Sequence, residues 1–137
     1  MSIQYKNAGI WLLRLIAAFI LIQTLFFKFS ASEESVYIFT ATGMEPWGRI
    51  GSGIAELIAA ILILIPRTTW IGSLMGIGLM SGAIFFHLTK LGIVVKNDGG
   101  LLFIYALVVL ICCVILLLNN RQRIRQLLRG NTGIIKL

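Results

Sequence analysis

The sequence predicts an all-α integral membrane protein, a four-helix bundle with both termini in the cytoplasm. Hydrophobic residues make up 58% of the 137 residues and charged residues only 12%, and the mean hydropathy is +0.96. Soluble domains carry about a quarter charged residues, so a water-soluble fold of this size is excluded. The 8 Phe residues and the scarcity of charge also exclude disorder. Four apolar stretches complete the prediction, because a membrane-spanning helix needs about 20 mostly apolar residues.

Each of the four apolar stretches carries little charge. The first three hold one ionisable side chain away from their ends, namely Arg14, Glu56 and His87, and the fourth holds no formal charge. The bundle occupies residues 1–120, and the basic tail at residues 121–137 is predicted to lie on the membrane as an amphipathic helix. The predicted spans are residues 8–29, 48–66, 68–92 and 99–119.

The connections between the spans differ in length. Residues 30–47 form a long connection, in which residues 36–39 are predicted to make a short interfacial helix or turn and Trp47 marks the next helix start. The second connection, residues 66–68, is predicted to be a tight turn. In the short third connection, Asp98 is placed to cap the fourth helix.

Basic residues determine the predicted orientation of the bundle. Four spans place both termini on one side, and that side carries more Lys and Arg residues than the other, so both termini are predicted to be cytoplasmic. The expected location is a multi-pass position in the cell membrane, and the small size favours a bacterial inner membrane. Nucleic acid is not an expected partner, because no recognition motif accompanies the charge. The cations on the terminal side are Lys6, Arg67, Arg121, Arg123, Arg125, Arg129 and Lys136, and those opposite are Lys28, Arg49, Lys90 and Lys96.

Ionisable residues inside the bilayer suggest a polar pocket. A charge near the bilayer centre costs about 2.5–3.5 kcal/mol, so such residues face protein or water. Helical rise and the lean of side chains toward the helix N-terminus bring four polar ends together in the outer half of the bundle. We predict a pocket formed by Lys28, Glu56, His87 and Tyr105. Gln23 has a compatible depth but lies about 140° around the helix from Lys28, so it has less weight.

Each candidate residue also has a simpler explanation. Lys28 can snorkel to the outer headgroups, and Arg14 can snorkel to the inner phosphates. Glu56 can belong to a structural ion pair or be a protonated acid, and His87 and Tyr105 can be packing residues. Arg14 shares a helix stripe with Lys28 but leans toward the cytoplasmic surface, and it is retained as a candidate ligand-binding residue.

Several kinds of chemistry have no support in the sequence. Cys112 and Cys113 are adjacent in an apolar helix, and neighbouring cysteines do not readily bridge in helical geometry. The single histidine cannot build a multi-histidine metal site or a haem site, and there is no P-loop or dinucleotide fingerprint. We therefore expect no metal site and no encoded cofactor, and whether the protein is an enzyme is left open.

Glycines recur along the third span as the pairs Gly72 with Gly76 and Gly78 with Gly82. Small residues let membrane helices approach closely. Packing within the chain is favoured over a dimer seam, and a homo-oligomer is left open.

Short motifs follow one another in a fixed order along the chain. They are LLRL at 12–15, FKF at 27–29, GSGIAEL at 51–57, and Met80 and Ala83 before His87. In these motifs the chain resembles the DoxX-like family of small four-helix membrane proteins from about residue 9 to 118, and the basic tail is left out. The acidic pair Glu33-Glu34 in the first loop departs from the commonest short versions of that loop in the family.

The resemblance implies the fold more strongly than the function. It marks Arg14, Lys28 and Glu56 as positions of the family pattern, with His87 matched in some members. The family takes its name from a subunit linked to a thiosulfate:quinone oxidoreductase. Other relatives resemble membrane chaperones or cargo receptors.

Two functional hypotheses follow, with membrane lipids as expected partners in both. In the first, the pocket binds a quinone or similar amphiphile within a redox system; Glu56 exchanges protons, Lys28 supplies positive charge and His87 relays protons. An oxidoreductase partner subunit is then needed, because no flavin or metal centre is encoded. In the second, the protein is a non-enzymatic assembly factor, chaperone or lipid-binding scaffold. A permease made by oligomers is a third hypothesis.

Overall fold

The computed structural model describes residues 3–129, which are mostly helical. Within this range the chain forms six α-helices and no strand, and the fourth helix continues through a π-helical turn at His87–Leu91. The helices are α1 (Ile3–Phe29), α2 (Glu33–Ala41), α3 (Trp47–Leu64), α4 (Thr69–Phe86), α5 (Leu101–Asn119) and α6 (Arg121–Leu128).

Four of these helices are long and apolar enough to cross a membrane, which confirms the predicted all-helical, four-span class. Successive spans run antiparallel, so both ends of the described chain lie at one end of the bundle, here called the terminal end. The opposite end is called the α2 end. Around the bundle, α1 and α4 each contact α3 and α5. The spans are Asn7–Phe29, Trp47–Leu64, Thr69–Leu91 and Leu101–Asn119.

Each spanning helix turns one stripe of small or aliphatic residues inward. A repeat of three or four residues places side chains on one helix face, and every backbone hydrogen bond stays within the helix, as lipid requires. Large apolar side chains such as Phe19 and Phe26 lie on the opposite face and are about 70% exposed, at 71% and 70%. The buried stripes meet in one core, which includes Ala17, Leu21, Ala59, Ile63, Val109 and Leu116.

The first connection is more ordered than the sequence predicts. Residues 36–39, for which a short helix or turn is predicted, are helical and belong to the longer, nine-residue helix α2 at Glu33–Ala41. Ser32 caps it, because its Oγ accepts a hydrogen bond from the Ser35 N–H at 3.2 Å. The carboxylates in its first turn also favour a helix N-terminus. In addition, α1 begins at Ile3, five residues before the predicted start.

Close contacts between helix backbones are concentrated toward the terminal end. A Cβ atom added at Gly72 would lie 2.7 Å from the Ile63 backbone nitrogen and 2.8 Å from the Ala59 carbonyl oxygen. One added at Gly76 would lie 2.6 Å from the Cys113 sulfur. These two glycines therefore let α4 pack against α3 and α5, which is the packing within the chain that the sequence favours.

Two threonines close the tight turn between α3 and α4. The Thr68 hydroxyl donates to the Leu62 carbonyl oxygen at 2.9 Å, and the Thr69 hydroxyl donates to the Ile63 carbonyl oxygen at 3.0 Å. The last carbonyls of a helix have no partner within it, so these side chains satisfy groups that lipid cannot.

The basic tail starts as a helix in the described residues. Arg121–Leu128 is helical, and Lys136, which the orientation argument counts, lies outside the described residues. Cys112 and Cys113 are buried and free, as their position in an apolar helix predicts. Which side of the membrane the termini occupy stays a prediction.

Candidate functional site

A cavity of about 550 Å³ occupies the half of the bundle nearer the α2 end. Residues from α1 to α5, the π-helical turn and the connection before α5 line it. Most of the lining is apolar, and a small set of polar side chains faces the space. The polar lining includes Gln23, Thr24, Lys28, Glu34, Glu56, His87, Asp98 and Tyr105.

A largely buried ion pair faces the cavity. The Lys28 ammonium donates to Glu56 Oε1, and the two side chains are only 16% and 5% exposed. The Thr24 hydroxyl lies 3.3 Å from Glu56 Oε2 and donates to the Leu21 carbonyl oxygen at 2.8 Å. The pair joins α1 to α3, because Lys28 is in the last turn of α1 and Glu56 is near the middle of α3.

Arg49 contacts the backbone of Lys28, next to this pair. Arg49 is 7% exposed, and its Nη1 donates to the Lys28 carbonyl oxygen at the end of α1. Its Nη2 lies 2.9 Å from Glu45 Oε1. The chain thus holds a second buried cation that has both a carboxylate and a carbonyl partner.

His87 is held in one orientation by the π-helical turn. Its Nδ1 lies 2.9 Å from the Gly92 carbonyl oxygen, and its ring packs edge-on against Phe103 with centroids 5.5 Å apart. A carbonyl oxygen only accepts, so Nδ1 carries a proton, and Nε2 accepts a hydrogen bond whenever it carries none. Gly92 has φ 79 and ψ 172, a conformation that favours glycine, and this backbone presents its carbonyl to His87.

Asp98 organises the start of α5 at the rim of the cavity. Its Oδ1 accepts from the Val95 N–H at 3.0 Å and the Gly100 N–H at 2.8 Å, and its Oδ2 accepts from the Leu102 N–H at 3.3 Å. Burial acts to raise the pKa of Asp98, but these three hydrogen bonds and nearby His87 together lower it below its usual value. Asp98 therefore caps α5 as an ionised carboxylate.

Glu34 faces the same rim from α2. Burial, and secondarily the negative charge of Asp98, raise the pKa of Glu34 above its ordinary value. Lys96, in the connection before α5, places its ammonium 4.7 Å from the centre of the Tyr37 ring. The α2 helix thus meets the connection before α5 through both charged and aromatic side chains.

The cavity reaches the outer surface of the bundle. Phe27 on α1 and Leu101 on α5 both line it and are 47% and 46% exposed. On α4, Gly78 is exposed and Gly82 is half-buried, and a Cβ atom added at either would meet nothing within 4 Å. The cavity is therefore open beside apolar side chains, at a height where the spanning helices meet lipid.

The structure brings four of the predicted site residues together and separates one. Lys28, Glu56, His87 and Tyr105 all line the cavity, and so does Gln23, to which the sequence gives less weight. The cavity extends around α1 far enough to reach that side chain. Arg14 does not line the cavity, because fourteen residues place it about 21 Å along α1 from Lys28.

Sequence reasoning placed Asp98 as the cap of the fourth helix but not at the cavity, and it did not single out Thr24, Arg49 or Glu34 for this region. Thr24 lies one turn before Lys28 on the same helix face, so the spacing of four holds a usable signal. Arg49 lies seven residues before Glu56 and shares its stripe on α3 in the same way. Glu34 and Asp98 meet only because α2 folds over the connection before α5, and no local pattern predicts that.

The chain matches a known protein family. A family model described as DoxX matches residues 9–89, more than half of the chain. The chain belongs to the DoxX family. No curated protein and no solved structure matches it significantly.

The DoxX match covers part of the site. Arg14, Lys28, Glu56 and His87 lie within the matched residues, whereas Tyr105 and the rest of α5 lie beyond them. The match is shorter than the resemblance to residue 118 that the motifs suggest. With four apolar spans, this DoxX protein is a small multi-pass membrane protein.

Proposed function

We propose that the cavity binds a membrane-dissolved quinone, or an amphiphile with a similar head, as an accessory part of a redox system. The observation that carries the proposal is the buried Lys28–Glu56 pair facing a mainly apolar cavity of about 550 Å³. Small-molecule sites are typically about 300–1,000 Å³ in volume and have a few polar groups in an apolar lining. The size and composition of the cavity agree with that pattern.

The polar groups of the cavity match the two redox forms of a quinone head. A quinone carbonyl only accepts hydrogen bonds, and the Lys28 ammonium is a donor at the same surface. A quinol hydroxyl also donates, and the Glu56 carboxylate and the acceptor nitrogen of His87 suit it. The Tyr105 hydroxyl both donates and accepts, so it suits either form.

Reduction of a quinone takes up two electrons and two protons, and oxidation of the quinol releases them. Glu56 and His87 are the residues we propose to exchange the protons with the bound head. The electrons come from, or go to, a partner oxidoreductase subunit with a flavin or metal centre. This chain then positions the head and handles its protons.

The open side of the cavity suits a ligand that arrives through the bilayer. Phe27 and Leu101 give the opening apolar edges, so a long apolar tail can stay in lipid while the head reaches Lys28. A ligand of this kind needs no aqueous route to the site.

We also propose that the protein lies in a bacterial inner membrane with both termini in the cytoplasm. The excess of Lys and Arg on the terminal side supports this orientation. A fluorescent protein fused after residue 137 is expected to fluoresce, and alkaline phosphatase fused there is expected to be inactive.

Mass spectrometry of the bound small molecules tests the cavity proposal. Wild-type protein, Glu56→Gln and the matched control Glu33→Gln are purified gently from the native membrane, and organic extracts are quantified. Glu33 is an exposed carboxylate on α2 that does not line the cavity. We expect a stoichiometric quinone in the wild type and in Glu33→Gln and its loss in Glu56→Gln.

An equilibrium binding measurement distinguishes a ligand that binds weakly and is lost on purification from the absence of a ligand. A short-chain quinone is titrated into wild-type protein and both variants in the same detergent. Saturable binding that only Glu56→Gln loses supports the proposal. No saturable binding above the detergent background contradicts it, and bulk phospholipid as the sole extracted molecule then fits the second candidate function.

That second candidate is an assembly factor, chaperone or lipid-binding scaffold. The observation that favours it is the bridge from α1 to α3, since the Lys28–Glu56 pair also holds the helices together. A bundle that loses stability on Glu56→Ala, with no ligand in any extract, supports this candidate instead.

A further inference from the structure

Arg14 is a buried cation far from the cavity. Its side chain belongs to the inward stripe of α1, the residue is 8% exposed, and its Nε has no hydrogen-bond partner in the described structure. It lies seven residues after Asn7, where the span begins, which is about 10 Å along the helix axis. Because the arginine side chain is long and leans toward the helix N-terminus, the guanidinium is directed toward the terminal end of α1.

No acidic side chain is available to balance this charge. Four of the five acidic residues of the sequence lie at the α2 end, and the fifth, near the middle of α3, is already paired with Lys28. Charged side chains within a membrane usually pair with an opposite charge or a backbone carbonyl, or face water. The five acidic residues are Glu33, Glu34, Glu45, Glu56 and Asp98.

The aromatic contact that Arg14 makes within the described part of the chain compensates its charge only in part. The guanidinium carbon lies 4.5 Å from the centre of a Trp11 ring, one turn earlier on α1. A cation–π contact offsets a fraction of the desolvation cost of a buried ion, and the buried Nε still has no hydrogen-bond acceptor. Trp11 is 42% exposed, so this contact is at the surface of the bundle.

We propose that Arg14 and Trp11 form a binding site for the phosphate of an anionic phospholipid at the terminal end, separate from the cavity. The guanidinium fork matches phosphate oxygens in two parallel hydrogen bonds, and indole rings favour the headgroup level. The other cations of this end, such as exposed Arg121, attract anionic headgroups to the same surface. This inference is independent of the proposed quinone site.

Lipid titration with matched variants tests the site. Phosphatidylglycerol is titrated into the detergent-purified full chain, and bound lipid is counted by native mass spectrometry. The variants are Arg14→Gln, Arg14→Lys and Arg121→Gln, the last of which removes an exposed cation from the same end. We expect Arg14→Gln to weaken binding at least about tenfold, Arg121→Gln to weaken it no more than about threefold, and Arg14→Lys to lie between them.

Two further probes identify the source of the phosphate. Diacylglycerol with the same acyl chains carries no phosphate, and we expect it to bind wild-type protein and Arg14→Gln equally. Inorganic phosphate is added as a competitor, and we expect it not to displace the lipid. Displacement of the lipid by inorganic phosphate overturns the lipid as the source, and equal losses in Arg14→Gln and Arg121→Gln overturn the site itself.

A measurement on the wild type alone guards against misfolded variants. Helical content and a single elution peak establish that each variant folds. Phosphatidylglycerol is also expected to raise the Tm of the wild type more than an equal amount of diacylglycerol does. An equal rise with both lipids contradicts the proposal even if no variant folds.

Discussion

At the terminal end of the bundle, α4 lies against α3 and α5 at backbone distance, whereas toward the α2 end the same helices line a cavity of about 550 Å³. Gly72 marks the first region, since a Cβ atom there would meet the backbone of α3. Gly78 and Gly82, about two and three turns further along α4, have open space instead. Two glycine pairs of identical spacing therefore have opposite surroundings.

The same two regions differ in how charges are compensated. In the cavity, Lys28 meets Glu56, and Arg49 meets Glu45. At the terminal end, Arg14 is buried without an acidic partner in the sequence. The α2 end thus pairs its cations with carboxylates of the same chain, whereas Arg14 at the terminal end has a buried Nε without a hydrogen-bond partner.

The largest expected effect comes from breaking the cavity ion pair. Glu56→Ala leaves the Lys28 ammonium in a mainly apolar space, and we expect it to lower the free energy of unfolding by about 3 kcal/mol. Reversible unfolding in mixed micelles measures it. This expected loss in unfolding free energy is at the low end for a buried ion pair because Lys28 is still 16% exposed.

A double-mutant cycle on Lys28→Ala and Glu56→Ala separates the pair from the individual side chains. We expect the double variant to cost less than the sum of the single variants by more than about 1 kcal/mol. Additive losses show that the two charges do not stabilise each other, and the cavity then has no special electrostatic role in the fold.

The next effect concerns the two glycine environments, and it changes sign between them. Gly72→Ala forces α3 and α4 apart at the backbone, so we expect a loss of about 2 kcal/mol in unfolding free energy. Gly78→Ala meets no atom and removes a helix-weakening glycine, so we expect a gain of up to about 1 kcal/mol.

Gly76→Ala is the intermediate case, because the atom it meets is the movable Cys113 sulfur rather than backbone. Its expected cost lies between those of the other two variants when all three are unfolded in the same micelles. Equal effects at Gly72 and Gly78 contradict the difference in packing.

The spans and the polar pocket were predictable because they depend on local or nearly local properties. Apolar length identifies four spans, and helical rise places Lys28, Glu56, His87 and Tyr105 at similar depths. The surroundings of each glycine were not predictable from its spacing. Two glycine pairs have the same spacing, but Gly72 packs against the backbone of another helix and Gly78 faces open space.

Other features depend on contacts between distant parts of the chain or on backbone detail. The contact of α2 with the connection before α5 brings Glu34 and Asp98 to one rim. The π-helical turn at His87 is closed by the Gly92 N–H, which donates to the His87 carbonyl oxygen five residues earlier. The turn lies inside the predicted third span, and no sequence pattern there distinguishes a π-helical turn from an α-helical one.

The smallest expected effect concerns the rim of the cavity, where burial and the charge of Asp98 disfavour the ionised form of Glu34. Because the pKa of Glu34 is raised in the folded state, the folded state binds its proton more tightly, and stability falls as pH rises from the ordinary value of about 4.3 through the raised one. Above that pH range, the ionised Glu34 carboxylate lowers the free energy of unfolding by a constant amount, and Glu34→Gln removes this loss. Glu33→Gln is the matched control, since both residues lie in the first turn of α2 and interact similarly with the helix dipole.

We expect Glu34→Gln to be more stable than Glu33→Gln at pH 7 by up to about 0.5 kcal/mol. The difference should vanish once the pH falls below the ordinary pKa of glutamate, because the wild-type carboxyl is then neutral in both states. Asp98→Asn should shrink it, because the Asp98 charge is the second cause of the raised pKa. A difference that persists unchanged at low pH, or in the Asp98→Asn background, assigns the effect to packing rather than to charge at the rim.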